Sequence, residues 1–78
     1  MTSSHSLDLK GLKCPLPVLR TRQALMRLEA GAQLVVEASD PMSVLDIPHM
    51  CNEDGHHLIA QDRHDDIIRF TIEKGNRP

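Results

Sequence analysis

Leu9-Lys10-Gly11-Leu12-Lys13-Cys14-Pro15-Leu16-Pro17-Val18, residues 9–18, joins two segments of different hydrophobic period. Upstream, Leu7 and Leu9 alternate with polar neighbours, the pattern of a short strand that stops near Gly11. Downstream, Val18, Thr21, Leu25 and Leu28 recur at spacings of 3, 4 and 3, which is one face of a helix. Arg20, Arg22, Gln23 and Arg27 fall mostly off that face. The helix should open at Cys14 or Pro15. Proline is well placed there because its missing N–H has no helical partner at that position, and Pro17 is tolerated within the first turn. Gly31 reads as the glycine that stops the helix.

Outward from this joint the same reading continues. Leu34-Val35-Val36-Glu37-Ala38 is a strand whose nearly continuous apolar run suggests a central position. Asp40 is the expected cap of a second helix with Pro41 in its first position. That helix runs to about Asp54 and stops at Gly55, and Pro48 should bend it or split it. Asp46 would then cap the second piece. His57–Asp62 and Ile67–Glu73 are strands joined by a turn at His64-Asp65-Asp66. The order β-α-β-α-β-β predicts an α+β two-layer sandwich, with a mixed four-stranded sheet and two helices on one face. The first two strands should pair parallel and the last two should form a hairpin. One domain is expected over residues 7–74, with flexible ends at 1–6 and 75–78.

Composition sets limits. The 78 residues are 40% hydrophobic and 26% charged, as in ordinary globular domains. Phe70 is the sole aromatic, so Leu, Ile and Val must build the core. No run approaches the roughly 20 apolar residues of a membrane span, and Met1–Ser6 lacks the features of a signal peptide. Two cysteines without an export signal suggest reduced thiols, so a cytoplasmic location is expected. The net charge of −2 is uneven. Residues 1–30 carry Lys10, Lys13, Arg20, Arg22 and Arg27 against Asp8 and Glu29, a balance of +3. Residues 31–78 carry Arg63, Arg69, Lys74 and Arg77 against nine acids, a balance of −5. The basic segment is either a solvated helix face or a patch that steers an acidic partner toward Cys14. Direct nucleic-acid binding is disfavoured by the acidic balance and the scarcity of stacking aromatics.

Cys14 carries the chemistry. A thiolate is the reactive form, and a helix N-terminus with Lys13 and Lys10 nearby should lower its pKa from about 8.5 into a range of roughly 3.5–7.5. In a Cys-x-x-Cys pair the second thiol resolves mixed disulfides. Here Pro17 stands in that place, so a group loaded on Cys14 has no neighbouring thiol to expel it. Pro15 and Pro17 stiffen the segment and fix how the thiol is presented. With no histidine at a nucleophile–base spacing, transfer between proteins fits better than turnover on one chain. The plainer reading is a helix-opening turn with an incidental cysteine.

The residues also resemble a known family, the TusA-type (SirA-like) sulfur carriers, from Leu7 to Lys74. Gly11-Leu12-Lys13-Cys14-Pro15-Leu16-Pro17 resembles the signature Gly-Leu-x-Cys-Pro-x-Pro. Ala24-Leu25, Gly31, Asp40-Pro41, Asp46-Ile47-Pro48, Cys51, Gly55-His56, Phe70, Ile72 and Lys74 match the rest of its pattern. The resemblance implies that Cys14 accepts sulfur as a persulfide from a cysteine desulfurase or rhodanese-like donor. The sulfur would then pass to an acceptor protein serving tRNA 2-thiolation, molybdenum cofactor synthesis or sulfur metabolism. The transient persulfide would be the sole cofactor-like group, and the chain would not turn over a substrate alone. Cys14 is the expected acceptor and donor atom, supported by Pro15, Pro17 and Lys13. Lys10, Arg20 and Arg22 are candidate docking residues, and the free chain is expected to be a monomer without membrane contact. The rival is a thiol-based redox-sensing or regulatory module that uses Cys14, with Cys51 as a potential partner.

Cys51 follows Val44, Ile47 and Met50 in the helical pattern, and reads first as a buried small side chain. Cys51, His56 and His57 lack the paired spacings of a zinc site, so no metal is expected. His56 should bond the last carbonyls of the second helix.

Overall fold

A computed structural model describes residues 4–76 and contains six elements. They are β1 (Ser4–Leu9), α1 (Leu16–Met26), β2 (Gln33–Ala38), α2 (Ser43–Asp54), β3 (His57–His64) and β4 (Ile67–Glu73). The sheet order is β1-β2-β4-β3, with β1 parallel to β2 and β4 antiparallel to both its neighbours. The expected mixed four-stranded sheet and two helices are therefore present. β2 is an inner strand, as its apolar run suggested.

One face of the sheet is covered. Leu34, Val36 and Ala38 of β2 and Ile68, Phe70 and Ile72 of β4 are buried. They pack with Leu25 of α1 and Ile47, Met50 and Cys51 of α2 in one cluster. On the other face Glu37 pairs across the strands with Arg69 at 3.0 Å. The helices lie side by side: Cys14 ahead of α1 touches the first turn of α2, and Arg22 late in α1 pairs with Asp54 at the end of α2. Both N-termini thus meet at one end of the molecule.

Several local expectations need correction. β1 begins at Ser4 rather than Leu7, so residues 4–6 of the expected flexible tail are strand. Gly75 is buried, and its N–H donates to His56 Nδ1 at 3.0 Å, so the tail is not loose there. The remaining tail residues, 1–3 and 77–78, lie outside the described residues. α1 begins at Leu16, with Pro15 as its cap, so Cys14 stands outside the helix. It ends at Met26, and Gly31 is not its stop. Gly31 has φ 90° in the turn before β2, and its N–H donates to the Lys74 carbonyl at 2.9 Å. α2 begins at Ser43, after a turn in which Asp40 Oδ1 accepts the Met42 N–H at 3.1 Å. Pro48 does not split α2, which is continuous to Asp54. Gly55 at φ 78° closes it, and the His56 N–H reaches the Cys51 carbonyl at 2.8 Å. β3 extends to His64, two residues beyond the expected end, and Asp65 at φ 54° makes the hairpin turn.

Candidate functional site at Cys14

The site is built where two strand-to-helix joints meet. The Gly11 N–H donates to Ser39 Oγ at 2.8 Å, which ties the β1–α1 joint to the β2–α2 joint. Asp40 then stitches them together. Its Oδ2 accepts the Cys14 N–H at 2.5 Å while Oδ1 holds Met42. Asp40 is the expected cap, yet it caps a turn of its own joint and a residue 26 positions upstream. The Cys14–Pro15 peptide is cis, and Pro17 is buried within the first turn of α1. Cys14 itself is free and exposed.

Its Sγ donates to Asp46 Oδ2 at 3.3 Å. Asp46 lies in the first turn of α2. It does not cap a second helix piece, because there is none. The hydrogen bond to Asp46 raises the thiol pKa above its ordinary value, and partial desolvation and the charges of Asp46 and Asp40 add to the effect. The expected depression of the pKa is therefore overturned. Cys14 precedes the helix instead of opening it, its N–H is committed to Asp40, and two carboxylates occupy the positive end of the helix pair. A thiolate here would stand beside a full negative charge, whereas a helix end offers only about half a positive one.

The basic residues divide. Lys13 is exposed in the joint near Asp40 and Pro41. Arg20 is exposed on α1. Arg22 lines a shallow groove of about 280 Å³ with Cys14, Asp46 and Met50. Its guanidinium is held by Asp54, with Nε–Oδ2 at 2.7 Å and Nη2–Oδ1 at 3.3 Å. Lys10 sits 3.8 Å from Glu37 and 3.9 Å from Asp8. Glu37 belongs to the uncovered face of the sheet, so Lys10 is turned from the helices. The basic balance of residues 1–30 thus does not become one patch around the thiol.

Cys51 is buried on α2, and burial, with the charge of Asp54, pushes its thiol up to about 11. His56 does not cap α2 with its side chain. Its Nδ1 accepts the Gly75 N–H, and burial lowers its pKa. Among the described residues no group of three or more His, Cys, Asp or Glu side chains stands close enough to hold a metal ion, and no helix is long and apolar enough to cross a membrane. The residue that sequence reasoning missed as a site member is Asp46. It lies 32 positions from Cys14, and nothing in its local pattern aims it at a thiol.

Three likenesses accompany this geometry. The family described as sulfurtransferase TusA matches residues 5–74. A Bacillus subtilis (strain 168) protein, YrkI, whose name makes it a candidate sulfur carrier, is 41% identical over 75 residues. The match covers 96% of this chain and all of that one. The crystal structure of a SirA-like protein from Desulfitobacterium hafniense superposes with a TM-score of 0.80 at 29% identity, covering 92% of this chain and 99% of the other.

Proposed function

This chain belongs to the TusA sulfurtransferase family, and from that premise we propose that Cys14 accepts sulfur as a persulfide and hands it to another protein. The donor would be a cysteine desulfurase or a rhodanese-like protein. The acceptor would be a cysteine protein leading toward tRNA 2-thiolation, molybdenum cofactor synthesis or sulfur metabolism, in the cytoplasm. The observation that carries this reading is the placement of Cys14: exposed, anchored through its own N–H by Asp40, and followed at the third position by buried Pro17 instead of a resolving thiol. Such a thiol accepts a sulfur atom from one partner and keeps it until a second thiol attacks. The rival reading is a thiol-based redox-sensing or regulatory module using Cys14, and its variant with Cys51 as disulfide partner has less support. Cys51 is buried with its thiol pushed up to about 11, so it forms little thiolate at neutral pH.

Intact-protein mass spectrometry tests the proposal. Wild type and Cys14→Ala are incubated with a desulfurase, pyridoxal phosphate and cysteine. A dithiothreitol-reversible gain of one sulfur atom in wild type alone is the expected result. No gain with desulfurase and rhodanese donors, or equal gain in Cys14→Ala, would overturn it.

A further inference from the structure

The Cys14 thiol sits in a field of the wrong sign for a nucleophile. Its Sγ donates to Asp46 Oδ2, and Asp40 of the β2–α2 joint holds its N–H. Other polar side chains around the groove contact one another. Arg22 of α1 grips Asp54 and lies 3.9 Å from Glu53, and His49 of α2 lies 3.6 Å from Glu53. Lys13, next to the thiol in the chain, makes no ion pair among the described residues, and neither does Asp46. The carboxylate of Asp46 is balanced only by the positive end of α2 and by a thiol proton. Removing that proton places two anions at hydrogen-bond distance, so Cys14 is slow to attack while Asp46 is unmatched. A carrier that must react with its partner needs that charge cancelled at the moment of contact.

We infer that Asp46 is the positioning residue of sulfur exchange: it holds Cys14 as a hydrogen-bonded thiol in the free chain, and a cationic side chain on the partner pairs with it to release the nucleophile. The inference rests on the sulfur-carrier reading above. The partner is a protein that presents Arg or Lys beside its own persulfide or acceptor cysteine. The step balances without an outside oxidant. Once Asp46 is paired, the Cys14 proton departs and the thiolate attacks the outer sulfur of the donor R–S–SH. The Sγ–S bond forms as the donor S–S bond breaks, and the bonding pair leaves on the donor sulfur, which takes up a proton. Cys14–SH and R–S–SH become Cys14–S–SH and R–SH. In the absence of a partner the same hydrogen bond keeps the thiol from alkylation and from adventitious disulfides.

Asp46→Asn removes the charge at nearly constant size. Iodoacetamide rate profiles against pH should place the wild-type midpoint above that of a free cysteine. The variant should titrate lower and react severalfold faster at neutral pH. Loading from a desulfurase at subsaturating concentration should move the other way, severalfold slower in the variant, with Asp46→Glu restoring much of it. An unchanged alkylation midpoint would remove the restraint. Loading that accelerates in step with alkylation would remove the partner cation. Salt gives a second measurement on wild type alone, for use if the variant does not fold. Rising ionic strength should slow loading without slowing alkylation, since it screens a charge contact between proteins, and loading indifferent to salt would overturn the inference. If wild type alkylates normally but gains no sulfur from any donor, the carrier reading fails, and the partner cation fails with it.

Discussion

At Cys14 a backbone effect and a side-chain effect oppose each other, and proximity decides between them. The two helix N-termini converge there and favour an anion. That anion is Asp46, in the first turn of α2, with the thiol as its hydrogen-bond donor. The same crowded end of α2 contains Ser43, buried and with its Oγ lacking any hydrogen-bond partner among the described residues. A buried hydroxyl without a partner loses its hydration and gains nothing in return. Ser43→Ala should therefore raise the urea midpoint, by about 1 kcal/mol in stability at unchanged slope. A fall in stability would mean that the hydroxyl is bonded after all. Ser43 does not touch Cys14 in the hydrogen-bond network, so sulfur loading should be unaffected.

α2 is an element whose sequence and shape disagree at one point. Pro48 lies in its interior and cannot donate to the carbonyl four residues earlier, that of Val44, yet the helix runs unbroken from Ser43 to Asp54. Burial of Ile47, Met50 and Cys51 against the sheet outweighs the local penalty. An interior proline costs roughly 3 kcal/mol relative to alanine in a free helix. Pro48→Ala should thus stabilise the chain, by about 2 kcal/mol after the lost unfolded-state restriction is counted, as read from thermal or urea unfolding. If the variant is less stable, the proline ring is packing where a methyl cannot. Leu34–Ala38 was legible as a strand from its apolar run and Ile67–Glu73 from its run of strand-forming residues, and in the structure both bury alternate residues on one face. Both helices, the parallel β1–β2 pair and the β3–β4 hairpin followed from the sequence patterns, whereas the antiparallel β2–β4 pairing that sets the sheet order did not. The start of α1 was less legible, since proline is acceptable as cap or as first residue and both placements fit Pro15. Asp46 was legible as a helix-start acid and not as a thiol partner. Only the stapling of two joints by Ser39 and Asp40 brings residues 14 and 46 together. The pKa of Cys14 went the wrong way for that reason: charges near it in sequence are Lys10 and Lys13, and charges near it in space are Asp46 and Asp40.

Across the whole molecule, the reactive end and the closing end are separated by the length of the helices, ~16 Å for an eleven-residue helix. At the closing end, the segment after β4 fastens both helix C-termini. Lys74 Nζ donates to the Leu25 carbonyl at 2.5 Å, and the Lys74 N–H donates to the Ala32 carbonyl at 2.8 Å. Gly75 passes so close to the Gly55 carbonyl that a Cβ there would overlap it. The Gly75 N–H ends on His56 Nδ1, which must be unprotonated to accept. Burial lowers the pKa of His56 below the ordinary 6.5, against a smaller opposing pull from Asp54. The sign of the resulting pH dependence follows. Above the unfolded value both states are neutral at this site and its contribution to stability is complete. As pH falls below that value the unfolded chain binds a proton that the folded chain resists, so stability declines until the folded pKa is passed. Urea midpoints of wild type should therefore fall between about pH 7 and about pH 5 more steeply than those of His56→Asn, whose amide oxygen is an acceptor that does not titrate. Cys14 alkylation at a fixed pH should be the same in both, because the closing end is remote from the thiol. Equal pH slopes for the two proteins would show that His56 does not couple the closure to acid, and a change in Cys14 reactivity would show that the two ends are not independent.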